Sequence, residues 1–373
     1  MLLVREEIEK REEKILSAYA VFSKNSRGRE HNEIEGEFRT CFQKDRDRVI
    51  HSKAFRRLKG KTQVFVAHFG DHYRSRLTHT MEVAQISRDL ARMLGLNEDL
   101  AETIALAHDL GHTPFGHAGQ DAMDAQMQNY GEKFEHNEQS RRVVEFLEEK
   151  KPDFSGLNLT FEVRDGLIKH RTSFDSPEST DTLVPSLEAQ IVNIADEIAY
   201  LCHDVDDGLR ADILSIDQLN DLSLWQKAKT NVDSNLHQHF FISVMVSEIM
   251  GLMIGDLAKN TDRLIEEYNI QNIDLIYKSD KQLVAFSNPF YDECMELKDF
   301  LYENFYHSSG VMVYNEKGQD VINILFKEFM DNLELLPESF KSKLNQEEPH
   351  ILVKDYIAGM TDGFALGLYK ELK

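Results

Sequence analysis

The chain has 373 residues, 41% of them hydrophobic, enough to build a sizeable core as one large domain or two fused ones. A formal net charge of −22 argues against a general nucleic-acid coat, because phosphate backbones reward basic surfaces. The three cysteines, Cys41, Cys202 and Cys294, lie far apart with no CxxC pair; they support neither a disulfide framework nor a thiolate zinc site and fit a reducing cytoplasm.

The chain opens on MLLVREEIEKREEK, too charged for a signal peptide, and residues 1–36 are expected to form a frayed or peripheral segment. From Arg39 to Arg76 eleven Lys/Arg face three Asp/Glu, a local balance of +8 that leaves −30 for the remainder. Such a segment suits a small polyanion held in a pocket, or a basic helix used for subunit contacts; composition leaves both open. Apolar spacing of three and four predicts helices over Ser75–Leu94, Glu98–His108, Asn137–Glu149, Leu187–Leu209 and Phe240–Leu257, so the fold class is all-α. Asn137 reads as a helix cap. Pro152, Pro177 and Pro185, with Gly156, mark loops between Lys151 and Ser186, and a turn is expected near Gly310–Gly318. The longest apolar stretch, Phe240–Gly255, contains Glu248 and falls short of the roughly 18–20 residues of a membrane span, so a buried helix and no membrane are expected. No linker of disordered composition appears. Residues 37–215 read as the catalytic core, and residues 216–373 as further helices packed on it as one compact unit.

Histidines carry the chemical signal. Seven of fifteen fall between His68 and His136, interleaved with Asp109, Asp121 and Glu135. Three segments offer metal ligands: RLTHTMEVA with His79, ALAHDLGH with His108 and Asp109, and IADEIAYLCHD with Asp196. Imidazole and carboxylate together suit a borderline or hard divalent ion such as Mn, Fe, Co, Ni, Zn or Mg. Adjacent His108 and Asp109 can reach one ion only where a helix stops, and Gly111, Pro114 and Gly116 supply that stop. Asp196 lies among Ile191, Ile194, Ala195, Ile198 and Leu201, where a carboxylate needs a partner, either an ion or a salt bridge. Asp196, Tyr200 and Asp204 follow at i, i+4 and i+8 along one helix face, a stripe able to line a pocket wall. His112 and His117 in GHTPFGH, and Glu135 and His136 in KFEHNEQS, fall on irregular segments where proton-transfer groups are commonly carried.

The order His79, His108-Asp109, Asp196 resembles the H…HD…D signature of the HD superfamily. More narrowly, FQKDRDRVIHSKAFRRLKGKTQVFV, RSRLTHT, HDLGHTPFGHAGQ, FEHNEQS, LIKHRTSF, ADEIAYLCHDVDDGL and DYIAGMTDG are similar, in the same order, to the deoxyguanosinetriphosphate triphosphohydrolase-like family. The resemblance implies an HD-type helical fold with additional C-terminal helices and one divalent metal held by His79, His108, Asp109 and Asp196. It implies hydrolysis of a deoxynucleoside triphosphate (dNTP) to deoxynucleoside and inorganic triphosphate. His117 would be the general acid at the 5′ oxygen, with His112, Glu135 and His136 completing the surround. Arg76 and Lys169 would contact phosphates, Tyr200 would pack under the deoxyribose, and Asp204 would hold the 3′-hydroxyl. A homo-oligomer, dimer or hexamer, a dNTP allosteric activator and weak single-stranded DNA binding are further implications.

Two positions depart from the family's usual pattern. Gln120 stands where HAGE has its glutamate, so a carboxylate role there is absent or passes to Asp121, and Gly363 follows Thr361-Asp362 where an arginine is usual. Two other readings remain beside the dNTP hydrolase: an HD phosphohydrolase of another nucleotide, such as a monophosphate or guanosine tetraphosphate, and a nucleotide- or DNA-binding regulator with an inactive HD site.

Overall fold

A computed structural model describes residues 2–63, 74–168, 184–279 and 281–373. Strand pairing among them is confined to isolated bridges, Arg29–Thr160, Thr62–Ser75 and Glu149–Gly156, and the fold is all-α as expected. The helices in chain order are α1 (Arg5–Ile15), α2 (Cys41–Ile50), α3 (Lys53–Arg57), α4 (Arg76–Met93), α5 (Glu98–Ala107) and α6 (Gly116–Gln128). Next come α7 (His136–Arg142), α8 (Phe161–Ile168), α9 (Leu187–Arg210), α10 (Ile216–Leu219), α11 (Ser223–Lys229) and α12 (Gln238–Glu267). The chain closes with α13 (Ile273–Tyr277), α14 (Asn288–Leu301), α15 (Ser309–Asp331), α16 (Glu338–Lys341), α17 (Pro349–Ala358) and α18 (Asp362–Leu372). Contacts divide the chain into two compact units. The first comprises Met1–Arg46, Met81–Ala105 and Thr160–Ser308, the second Asp47–Thr80, Leu106–Leu159 and Ser309–Lys373.

In the first unit α9 is the spine. Ser186 caps it, its side chain accepting from the Ala189 N–H, and the helix packs against α8, α12 and α14. The charge-rich chain start is ordered rather than frayed. The Glu12 carboxylate of α1 is buried, and it accepts from the Ser23 N–H at 2.8 Å and the Ser23 hydroxyl at 2.6 Å. These bonds satisfy a charge that composition alone assigns to solvent. Helix α8 lies where only loop was expected, because eight residues are too few for a 3.6-residue period to declare itself. Helix α12 buries Phe241, Ile242, Met245, Ile249, Met253 and Leu257, a three-and-four spacing, and leaves Phe240 and Val244 exposed. It runs well beyond the apolar stretch and is long and apolar enough, by length and composition, to cross a membrane; here it packs on α9 and α11.

The second unit is built on α15. Its Val321, Ile322, Leu325, Phe326 and Phe329 form one cluster with Phe115, Met123 and Met127 of the α6 region and Val353 and Ile357 of α17. The expected turn at Gly310–Gly318 is instead continuous helix, because Gly318 is a point of close approach: a Cβ there would stand 2.7 Å from the Phe115 Cβ. Helix α7 starts at His136 with Glu135 as its N-cap, so Asn137 is a helical residue and not the cap. Its end widens into a π-helical turn, Val143–Leu147.

Candidate metal centre

Two segments of the second unit meet at this centre. Arg76 and His79 sit one turn apart at the start of α4 and share a face. Helix α5 stops at Ala107, and His108 and Asp109 fall in the turn beyond it. That break lets adjacent side chains aim at one point, as the glycine-rich continuation predicts. One ligand atom each of His79, His108 and Asp109 lies within 4.8 Å of the others, and all three residues are buried. The Asp109 carboxylate is the hub. Its Oδ1 is 3.6 Å from His108 Nε2 and 3.5 Å from His112 Nε2, and its Oδ2 is 4.0 Å from His79 Nε2. Donors held at about 2.0–2.2 Å from one ion stand roughly 3–3.5 Å apart, so a small contraction would close this set on a divalent cation. Two imidazoles and a carboxylate also suit such an ion chemically. Arg76 Nη1 donates to both Asp109 oxygens at 3.0 Å, which partners a carboxylate and a guanidinium that are each almost wholly buried.

Around this hub the structure gathers three further histidines. His112 stacks on His136 with ring centroids 4.0 Å apart and meets His117 edge-on at 5.8 Å. Burial first, then the nearby Arg76 charge, holds His112 well below the usual imidazole range, so it stays neutral at neutral pH. His112 and His136 are buried, whereas His117, second residue of α6, is exposed. Glu135, the α7 N-cap, lines a cavity of about 590 Å³ together with Lys133, Arg142 and Lys354.

Helix α7 is clamped to the His-Asp turn. The Ser140 hydroxyl donates to the His108 carbonyl at 2.5 Å and accepts from the Gly111 N–H at 2.8 Å. Gln120, chemically inert as an acid or base, proves to touch the site. The His136 Nδ1–H donates to its side-chain oxygen at 2.9 Å, which leaves Nε2 as the acceptor nitrogen. Gln120→Leu, which removes the acceptor oxygen, would strand that buried donor at a cost of about 1–3 kcal/mol. Its kcat/KM is expected to fall about tenfold to hundredfold in steady-state assays, with Gln120→Glu retaining most of the activity.

The remaining expected residues stand elsewhere. Asp196, Tyr200 and Asp204 lie on α9 in the first unit, at the spacing read from the sequence. Asp196 is half-buried, while Tyr200 and Asp204 are buried, so the stripe is not a solvated face. Tyr306 joins it: its ring stacks on Tyr200 at 5.8 Å, and its hydroxyl donates to Asp204 Oδ2. His203 pairs with Glu82. Lys169 lies outside the described residues. Sequence reasoning missed Tyr306, and in the second unit it missed Gln63 and Lys61. Gln63 is buried beside Gly116, and its side-chain oxygen has no partner among the described residues. The Lys61 ammonium donates to the His112 and Ala358 carbonyls, and burial pushes it down to about 7. Both sit in RRLKGKTQ, a stretch read from the sequence for its net charge and its family resemblance, with no role assigned to either residue.

Comparisons with known proteins agree with this layout. An HD domain model matches residues 76–201, and a phosphohydrolase-associated domain model matches residues 284–371. Among curated proteins, the deoxyguanosinetriphosphate triphosphohydrolase-like protein of Ralstonia pickettii (strain 12J) is 46% identical over 367 residues, covering 96% of this chain and 94% of its own. The proteins of the same name from Geobacter sulfurreducens and from Azoarcus sp. (strain BH72) are 44% and 47% identical, each across 96% of this chain and 94% and 96% of their own.

Proposed function

The chain belongs to the deoxyguanosinetriphosphate triphosphohydrolase-like family of HD-domain proteins, and on that footing we propose that it hydrolyses deoxynucleoside triphosphates at the α-phosphorus, releasing deoxynucleoside and inorganic triphosphate. The observation that carries this reading is the buried His79–His108–Asp109 group with His112, His117 and His136 gathered beside it. A divalent ion held there, Mg, Mn, Co, Fe, Ni or Zn, supplies charge neutralisation and a more acidic bound water.

The chain's own residues do the rest. Asp196 joins the ligand set by family resemblance. His117, open to solvent, gives its proton to the leaving 5′ oxygen and regains one from water. His112 is held neutral and orients as an acceptor, while His136, its tautomer set by Gln120, and Glu135 complete the proton-handling surround. Arg76 and Lys169 bind phosphate oxygens, Tyr200 packs under the sugar, and Asp204 takes the 3′-hydroxyl. No serine or cysteine nucleophile is required.

A turnover panel of the four dNTPs, alone and mixed, across divalent ions, tests the reaction class by chromatography. Deoxynucleoside with free triphosphate is the expected product pair; orthophosphate or pyrophosphate in its place assigns the site to another HD phosphohydrolase reaction. Stimulation in the mixtures tests activation by a second dNTP. A dimer or hexamer in the cytoplasm, with weak affinity for single-stranded DNA, completes the family-based reading; light scattering and salt-dependent DNA titration check it.

A further inference from the structure

One buried carboxylate of the C-terminal helices in the second unit reaches the start of α6. Asp362, the first residue of α18, is buried, and its two oxygens hold two different segments. Oδ1 accepts from the Phe115 N–H at 3.1 Å, and Oδ2 accepts from the Thr62 N–H at 2.9 Å. Phe115 is the N-cap of α6 and immediately precedes Gly116 and His117. It adopts a left-handed conformation, φ 64, which a bulky residue with a Cβ keeps only where its surroundings hold it. Asp362 holds it from the backbone side. On the side-chain side α15 packs against it, with room only because residue 318 is glycine: a Cβ there would stand 2.7 and 2.9 Å from the Phe115 Cβ and Cγ. Thr62 in turn bridges to Ser75, and the Arg76 N–H donates to the Lys61 carbonyl at 3.1 Å, so the same carboxylate ties down the approach to Arg76 and His79.

We infer that Asp362 is a positioning residue for the hydrolytic step: by gripping the Phe115 N–H it fixes the strained start of α6 and thereby aims His117, with Gly318 as the complementary stop on the other side of Phe115. The inference rests on the role proposed for His117 and gives the C-terminal region a part in the chemistry beyond packing. A residue that only stabilises the fold lowers the melting temperature and leaves each folded molecule as active as before. A residue that acts through His117 lowers kcat, spares KM, and loses its effect when His117 is gone.

The test is a double-mutant cycle in the full-length protein, with melting temperature recorded for every variant. Asp362→Asn keeps the shape but turns an amide N–H₂ toward one of the two backbone donors. Its kcat is expected to fall about 10- to 100-fold, the scale of a small misplacement of a catalytic group. KM should stay within about threefold where the amide oxygen keeps the Thr62 N–H, and with it the approach to Arg76, and only the Phe115 bond is lost. Gly318→Ala, which presses on Phe115 from the opposite side, is expected to show the same kcat-selective loss and serves if Asp362→Asn does not fold. In a His117→Ala background either change should cost less than about twofold more. Full additivity with His117→Ala, or a loss confined to melting temperature, overturns the inference while leaving the dNTP reading intact. A His117→Ala enzyme with unchanged kcat overturns the assignment of His117 and the inference with it.

Discussion

Asp109→Ala should abolish measurable turnover, a loss of about 10³-fold or more, and should strip bound metal at the same time. Asp109 has two roles that no neighbour can assume. Its oxygens stand 3.5–4.0 Å from the Nε2 atoms of His79, His108 and His112, so one carboxylate serves three imidazoles at once. It also accepts both bonds from Arg76 Nη1. Removing the carboxylate therefore leaves a nearly buried guanidinium without its counter-charge, and breaking a buried pair from one side costs about 3–5 kcal/mol. A lower melting temperature accompanies the lost activity. Asp109→Asn, which keeps the volume, separates the two effects: its folded fraction by circular dichroism should recover partly, but its metal content and turnover should not. Unchanged metal content and turnover in either variant would remove the proposed centre.

Gly111→Ala should be nearly as damaging, although position 111 touches neither ion nor substrate. A Cβ there would lie inside van der Waals contact of the Ser140 backbone nitrogen and the His136 carbonyl oxygen. Both are backbone atoms of α7, so no side-chain rotation relieves the overlap and the helix itself must retreat. Overpacking of this kind costs about 1–3 kcal/mol in stability. It also breaks the Ser140 clamp on Gly111 and His108 and draws His136 off His112. Displacement on the 1 Å scale costs about 10²-fold in rate, so kcat should fall by about that factor in the folded fraction. Ser140→Ala, which loses the clamp without the collision, should show a milder loss of about 1–3 kcal/mol in a denaturant melt. A Gly111→Ala enzyme with normal kcat would mean that α7 is not mounted on the His-Asp turn as described.

Long periodic helices were readable from the chain because their burial repeats several times. The Ser75–Leu94 and Leu187–Leu209 readings correspond to α4 at Arg76–Met93 and α9 at Leu187–Arg210. Short or irregular elements escaped: α8 is eight residues long, and the turn expected at Gly318 is helix because that glycine answers Phe115, about 200 residues away in the chain. Interleaving of the two units left no compositional mark, since the boundary cuts through α4 and α5 instead of falling in a linker. Within the site, His79, His108 and Asp109 were legible because imidazole and carboxylate groups stand there in a telling order. Ser140, Lys61 and Asp362 were not: each acts through a hydrogen bond to backbone, and backbone partners carry no residue signature. Gln120 was read only as a missing carboxylate, whereas its acceptor oxygen still serves His136.

Elemental analysis of the protein purified without chelator, followed by chelation and stepwise return of a divalent ion to a dNTP assay, measures the role of the His79–His108–Asp109 group most directly. One ion per chain, turnover lost on chelation, and recovery that plateaus at one equivalent is the predicted result. Undiminished dNTP turnover in metal-stripped protein would contradict it.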